Sequence, residues 1–597
     1  MTYIRTHPHQ PPQRQRRSSH RVPLIIGGVC VLLLFAALSA SLYTRPFMPP
    51  NVAQEHMEHW LIEGARKVAG EVRLRHIRNV EPFYLKRNYQ PIWLDSYQLR
   101  PEALELIELL RETSVDDWRN YGYSLETLER EMRRLTNLPE QATAMEVLLT
   151  DAFVTYAEQA LNNELIPNAD ENDHPTMRRV VLSGDDRITE MQIISLLQES
   201  VRQNKLDELL AQMAPQHEGY RRLRAELKRY REIDRSGGWR PISHDLTLSA
   251  GDRHADVPYL RWLLDQYGDL PSGTLSWFFG SEENIPAPAR NPNADLAQAE
   301  YLLDGPLRSA IIHFQKRHKL EQTGSLNKDT IDRLNIPPYQ TAQRIALNMK
   351  RWRQLPSDLG ERHIMVNMAD YSMQLVKSGA PELEMKVIIG RLDRRTPVMT
   401  DLMRIIEVAP TWTVPPRIAG SYILPNVKRN PDYLKQKGFD VMQWRNGARV
   451  HVAADEINWH NYSARNLPYT FVQRPGKLNA LGTVKFLFPN DQSIYLHDTS
   501  SPELFDKEQR ALSSGCVRVE KPRLLAEKLL QSQDGWHRGR IDEAIDHNHT
   551  SRIRIKDPVP VHLMYWTTWV DDEGQLQIRD DVYQRDLIGG TATHASL

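Results

Sequence analysis

Cysteine is the scarcest residue here, with only Cys30 and Cys516 in 597 positions. So few exclude a disulfide framework and a cysteine-built zinc site. An excess of either charge is also missing: Lys and Arg total 76, as do Asp and Glu, so no global field recruits nucleic acid. The 21 histidines show no HExxH or similar ligand spacing, which leaves no metal or cofactor signal. The pair His547-Asn548-His549 reads as a surface loop. What is present, 40% apolar and 25% charged residues, describes a globular protein rather than a disordered chain or a multi-span transporter. At roughly 100–200 residues per domain, the length predicts about three to five folded units.

One local asymmetry interrupts the balanced charge. Arg5, Arg14, Arg16, Arg17 and Arg21 stand before residue 22 with no acid among them, and Val22 to Thr44 carries no charge. At 1.5 Å per residue that run spans about 34 Å, enough for a hydrocarbon core of about 30 Å. The expectation is a basic cytoplasmic tail (1–21) and a transmembrane signal anchor (22–44), with the rest of the chain outside the inner membrane. The alternative is a cleaved signal peptide, since Ala37-Leu38-Ser39 offers a small-x-small site.

Periodicity divides the remainder. From 45 to 240 the pattern is helical, with Ala103-Leu104-Ile107-Leu110, Leu125-Leu128-Met132-Leu135 and Ile193-Leu196-Leu197 at i, i+3, i+4 spacing, and a polar loop at Pro167 to Asp173. A second unit, 246–338, places Val257, Leu260, Leu264 and Tyr267 on one helix face and Leu307, Ala310, Ile311 and Phe314 on another. Its third helix follows Asn327 as N-cap. Between the first two lies a loop with Pro271, Pro286, Pro288 and Pro292. After a helical connector the period falls to 2, predicting a three-strand meander over Ile364–Met368, Met373–Val376 and Leu383–Ile389. Further strands are expected at Met403–Val408, Val484–Phe488, Ser493–Leu496 and Val517–Val519. The Pro-broken stretch 411–481 reads as an insertion over one sheet edge.

Within this β region, Tyr495-Leu496-His497-Asp498 is followed by Ser513-Ser514-Gly515-Cys516-Val517-Arg518. Strand alternation puts Tyr495 with His497 on one face, and Cys516 with Arg518 likewise. If the two segments are neighbours, four polar side chains converge. Thiol acylation needs such a group. A free thiol is mostly protonated at neutral pH, and an adjacent imidazole, His497, can take its proton and return it to a departing amine. Asp498, through its carbonyl or carboxylate, is the candidate that fixes the His tautomer. Backbone N–H groups around Ser514, Gly515 and Cys516 suit an oxyanion, Tyr495 adds a hydroxyl, and Arg518 suits a substrate carboxylate. The alternative is a buried structural Cys and a satisfied structural His.

The 246–338 segment resembles the small three-helix peptidoglycan-binding module, through Phe314-Gln315 and Leu334-Asn335 at its usual intervals. Residues 361–533 resemble the YkuD-type L,D-transpeptidase domain, whose signature is a His followed by Ser-x-Gly-Cys-x-Arg. Val408 to Pro416, Ile423-Leu424-Pro425 and Asn479 to Phe486 extend the likeness. The whole chain is similar to the large YcbB-type periplasmic enzymes. Ser514 departs from smaller members, which carry His there, so no side-chain role of that His passes to this chain. The resemblance implies a multidomain α+β fold: a helical N-terminal scaffold, the three-helix module, and a mainly β catalytic domain with a lid-like insertion at 411–481. A C-terminal extension (534–597) would pack on that domain. It implies Cys516 as nucleophile and His497 as base; the residues around them add Asp498, Gly515 and Ser514 as catalytic candidates and Tyr495, Arg518, Trp412 and Ser513 as substrate candidates. Trp444 and Trp459 are further candidates for the cleft wall. The implied reaction releases the terminal D-Ala of a peptidoglycan tetrapeptide and passes the acyl group to meso-diaminopimelate on a neighbouring stem. A carboxypeptidase using the same thioester, or a silent peptidoglycan-binding protein, are the other readings. The implied partners are peptidoglycan, the inner membrane and possible other cell-wall enzymes, in the periplasm of a Gram-negative bacterium. No metal, cofactor or nucleic acid is implied.

Overall fold

The computed structural model describes residues 56–59, 61, 74–95, 97–112, 125–135, 138–167, 177–181, 188–270, 295 and 297–586. The basic tail, the expected span at 22–44 with Cys30, and the loop from Pro271 to Pro292 lie outside these residues. Among the described residues, no helix is long and apolar enough to cross a membrane. The chain divides into two units, 1–104 with 122–152, and 105–121 with 153–597.

The first unit is built around helices Ile77–Lys86 and Leu125–Arg134 and the first half of Pro139–Asn162. Its centre is polar. The Glu146 carboxylate, fully buried, accepts the backbone N–H groups of Ile92, Trp93 and Leu94 and the Tyr84 hydroxyl. The three backbone donors sit in a non-helical segment that enters the short strand Leu94–Asp95, where a buried N–H without a partner would cost about 1–3 kcal/mol.

In the second unit, helix Glu190–Gln203 starts at a Thr189–Gln192 capping box, which satisfies two end groups of the helix. Two expected helical faces need adjustment: Leu104 in the first unit and Leu196 in the second are exposed, since each apolar stripe is one residue narrower than its i, i+3, i+4 set. Of the polar loop read at Pro167 to Asp173, only Pro167 lies among the described residues, and it ends the strand Asn163–Pro167, which pairs antiparallel with Met177–Val181. The three-helix segment forms as read: α1 (Val257–Gln266), α2 (Gly305–Arg317) and α3 (Lys328–Leu334). Asn327 caps α3 by accepting the Thr330 N–H, a contact worth about 1 kcal/mol. The polar residues of its motif are structural. Buried Gln315 donates to Ser325 O and accepts from Gly324 N, and Asn335 pairs both ways with the Ile242 backbone. A connector helix, α4 (Pro338–Trp352), leads to the sheet.

That sheet has nine strands: β1 (Arg362–Asn367), β2 (Ser372–Lys377), β3 (Ala380–Gly390), β4 (Met399–Val408), β5 (Val484–Leu487), β6 (Leu496–His497), β7 (Ala511–Ser513), β8 (Val517–Val519) and β9 (Ser551–Met564). Their order is β7-β3-β8-β6-β5-β4-β9-β1-β2, and β2 also pairs with β3, so the sheet closes on itself. The predicted meander is β1 to β3. Its enclosed core includes Ile364, Val387, Ile406, Phe486, Leu496 and Val517, each worth roughly 1.5–3 kcal/mol on burial. The segment read as an extension packing on this domain is corrected: β9 lies inside the sheet, between β4 and β1. Pro558 falls within the irregularity between Arg554 and Val559, where the ladder is interrupted, and Pro560 is paired opposite Leu402. The insertion carries its own four-stranded sheet, Ala448–Val452, Phe439–Arg445, Tyr469–Gln473 and Trp412–Thr413 in that order, over a core containing Ile423, Leu424 and Phe471.

Candidate active site

The pairing of β6 with β8 is parallel, with Leu496 opposite Val517 and His497 opposite Arg518. This makes neighbours of the two polar segments. Leu496 and Val517 turn into the core, so His497 and Arg518 share the other face. The row continues in register across the sheet: Arg518, His497, Lys485 on β5, Glu407 on β4 and Arg552 on β9. One pleat away, Cys516 and Tyr495 precede the same two strands, and Leu487, Ile405 and Arg554 continue that line. All of these residues line one cleft of about 1540 Å³, walled on its other side by Trp412, Pro416 and Tyr422 of the insertion.

Alternating cations and buried surroundings govern the titrations. His497 is pushed down to about 3, first by burial and then by Arg518 and Lys485 on either side of it. Its imidazole is therefore neutral at neutral pH. The Nδ1 atom lies 2.6 Å from the Asp498 carbonyl oxygen, and the ring also meets the Leu481 backbone. Burial pushes the Cys516 thiol up, opposed by hydrogen bonds from the Tyr495 N–H and hydroxyl and by the charges of Lys485 and Arg518. The thiol also faces the Ser493 carbonyl at 3.7 Å, and Ser493 holds a left-handed φ of 56°. Tyr495 is raised by burial and the nearby thiol; its hydroxyl bonds to Cys516 and accepts from the Trp412 indole. Its ring lies 5.6 Å from that of His497, with the Lys485 ammonium 4.2 Å from its centroid.

In the resting arrangement the thiol's hydrogen-bond partners are Tyr495 and the Ser493 carbonyl, while the His497 imidazole is anchored on the Asp498 carbonyl. The Asp498 side chain has another task, accepting from Thr483 N and Oγ1 at 2.7 Å and from its neighbour Thr499 N, so only its carbonyl serves the histidine. Ser513 lines the cleft but is almost wholly buried. Its hydroxyl donates to the Cys516 carbonyl at 2.5 Å and accepts the Gly515 N–H at 3.1 Å. That removes the Gly515 N–H from the expected oxyanion donors. Gly515 itself has φ +124°, a region that disfavours any side chain. Ser514 is exposed at the cleft, its hydroxyl accepting from Arg394. Trp412 lines the cleft as expected, whereas Trp459 packs in the insertion core and Trp444 is exposed away from it.

Sequence reading missed Lys485, Glu407, Arg394 and Arg404. Lys485 had a signal, since Val484 and Phe486 alternate around it as core residues. The others depended on which strands become neighbours. No cluster among the described cleft residues offers the Cys, His and carboxylate set of a metal site.

Residues 361–561 match the family described as the L,D-transpeptidase catalytic domain (YkuD), and residues 78–227 match the family described as a scaffold domain. The chain is therefore one that carries a YkuD-type L,D-transpeptidase catalytic domain. A Haemophilus influenzae protein named "Putative L,D-transpeptidase" is 36% identical over 244 residues, which cover 41% of this chain and 48% of the relative. The chain thus spans about half the length of the curated relative it matches. The solved structure titled "Structure of the Ldtfm-avibactam carbamoyl enzyme" is similar over 35% of this chain and 51% of its own, at 11% identity and a TM-score of 0.16.

Proposed function

We propose that this protein is a cysteine L,D-transpeptidase acting on peptidoglycan stems, with Cys516 as nucleophile. The observation that carries the reading is the parallel β6–β8 pairing, which sets Cys516, Tyr495, His497 and Arg518 together in a cleft. The sulfur attacks the carbonyl carbon of the bond preceding the terminal D-Ala. Neutral His497 takes the thiol proton and then gives it to the departing amine. Lys485 and Arg518 favour the developing thiolate. With the Gly515 N–H occupied by Ser513, the Tyr495 hydroxyl is the donor that meets the oxyanion. The thioester then passes to the amine of meso-diaminopimelate on a second stem. Water as acceptor gives the carboxypeptidase reaction, and the insertion wall carrying Trp412 favours the amine by restricting water.

Around this reaction, the reading retains an N-terminal anchor or signal peptide at 22–44, a periplasmic location, and murein binding by the 246–338 segment. Incubation with a disaccharide-tetrapeptide, followed by separation of products, tests it. Cross-linked dimer is expected; tripeptide alone would mean a carboxypeptidase, and unchanged substrate would leave a binding protein. A carbapenem should add covalently to Cys516 by intact mass, and an equal adduct on Cys516→Ala would remove the nucleophile assignment.

A further inference from the structure

At the end of the cleft remote from the thiol, β4 changes its alternation. Met403, Ile406 and Val408 all point into the core, although 403 and 406 are an odd number apart. The phase slips opposite the irregularity of β9, and as a result the consecutive residues Arg404 and Ile405 both line the cleft. Arg404 makes no hydrogen bond or ion pair among the described residues, and its Nε is buried without an acceptor. Arg552 and Arg554 follow on the next strand. Glu407, the one carboxylate among the described cleft-lining residues, is already held by Arg552 at 2.8 Å and Lys485 at 3.5 Å. Arg404 is half-buried, so its unpartnered Nε loses water without gaining an acceptor, and a carboxylate matches the guanidinium fork with two charge-assisted bonds.

We propose that Arg404, supported by Arg552 and Arg554, is a specificity-determining site for an internal carboxylate of an acidic peptide lying along the cleft. The inference rests on the cleft being the peptide-acylating site. At about 4.8 Å between strands, β4 lies about 14 Å of sheet from the Cys516 strand. Extended peptide covers at most about 3.6 Å per residue, so the carboxylate belongs to the body of the stem, not to the residue that departs. The donor stem and the acceptor stem both offer such a group.

The test compares the disaccharide-tetrapeptide with the same compound amidated at its internal carboxylates. On the unaltered enzyme, the amidated stem should show a KM raised about tenfold or more with kcat little changed. Arg404→Gln should raise KM for the acidic stem similarly and lose the discrimination between the two, while Arg404→Lys restores part of it. Release of D-Ala from donor alone reads the donor stem, and dimer formation at saturating donor reads the acceptor. A rise on either arm supports the site and names the stem. Equal KM for acidic and amidated stems on both arms overturns it, a result that does not depend on any variant folding. The acylation reading fails separately, by absence of a carbapenem adduct on unaltered Cys516; direct titration of acidic against amidated stem then decides the Arg404 site.

Discussion

The division of labour around one sulfur is the residue-scale lesson. His497 sits between two cations in an in-register row, and burial with those charges holds it neutral down to about pH 3. A base so depressed does not strip a thiol whose own titration is raised by burial, so the resting pair is neutral and proton transfer accompanies attack. Alkylation of Cys516 by iodoacetamide at pH 7 should therefore be slower than that of a free cysteine, rising as pH climbs past the ordinary thiol range. Lys485→Ala should shift that rise to higher pH, because one cation favouring the thiolate is gone; stopped-time mass spectrometry measures both. His497→Ala should fold and acylate about a hundredfold or more slowly. Tyr495→Phe, by contrast, removes the thiol's hydroxyl partner. If Tyr495 meets the oxyanion, this change lowers acylation by about 10²–10³, and it also moves the pH rise of alkylation upward because the hydroxyl bond that favours the thiolate is gone.

Among elements, the loop before β8 is held from two directions. From one side, Thr396 donates its hydroxyl to the Gly515 carbonyl at 2.7 Å and accepts the Gly390 N–H at 2.9 Å. A Cβ on Gly390 would fall 2.1 Å from the Arg394 carbonyl oxygen and 3.0 Å from the Gly515 Cα, so β3 passes the loop at a distance only glycine allows. Gly390→Ala should cost about 1–3 kcal/mol in urea unfolding and disturb the thiol's position, because backbone on both sides cannot give way. From the other side, Arg394 spans Ser514 of the loop at 3.1 Å and Ser421 of the insertion at 3.2 Å. Arg394→Ala should leave the sheet's stability nearly unchanged but raise protease cleavage within 411–481, since a strap between insertion and loop is lost. Limited proteolysis read by mass spectrometry checks it.

Considered as a whole molecule, the two units should answer pH in opposite senses. Burial raises Glu146 of the first unit to about 7, so its folded form holds a proton that the unfolded chain releases above about 4.5; its stabilising effect is lost as pH rises through 7. In the second unit His497 falls to about 3 and His562 to about 4, chiefly by burial. There the unfolded chain binds protons first, and stability declines as pH falls from about 6.5 towards 3. Hydrogen exchange at pH 5 and pH 8, corrected for intrinsic rates, should show residues 74–95 better protected at pH 5 and the β5–β6 region better protected at pH 8. Much of this molecule was legible in order of residues alone. Local alternation placed Tyr495 with His497, Cys516 with Arg518, and β1 to β3 in a meander; the helical period and Asn327 cap placed α1 to α3. Those are properties of neighbouring residues, and side-chain direction in a strand or helix follows from spacing. The parallel pairing of β6 with β8, the entry of β9 into the sheet, the row from Arg518 to Arg552 and the placement of Arg404 in the cleft were settled only by tertiary structure. Strand partnership depends on contacts tens to hundreds of residues apart, which no local period encodes, and the titration of His497 depends on the charges those partners bring beside it.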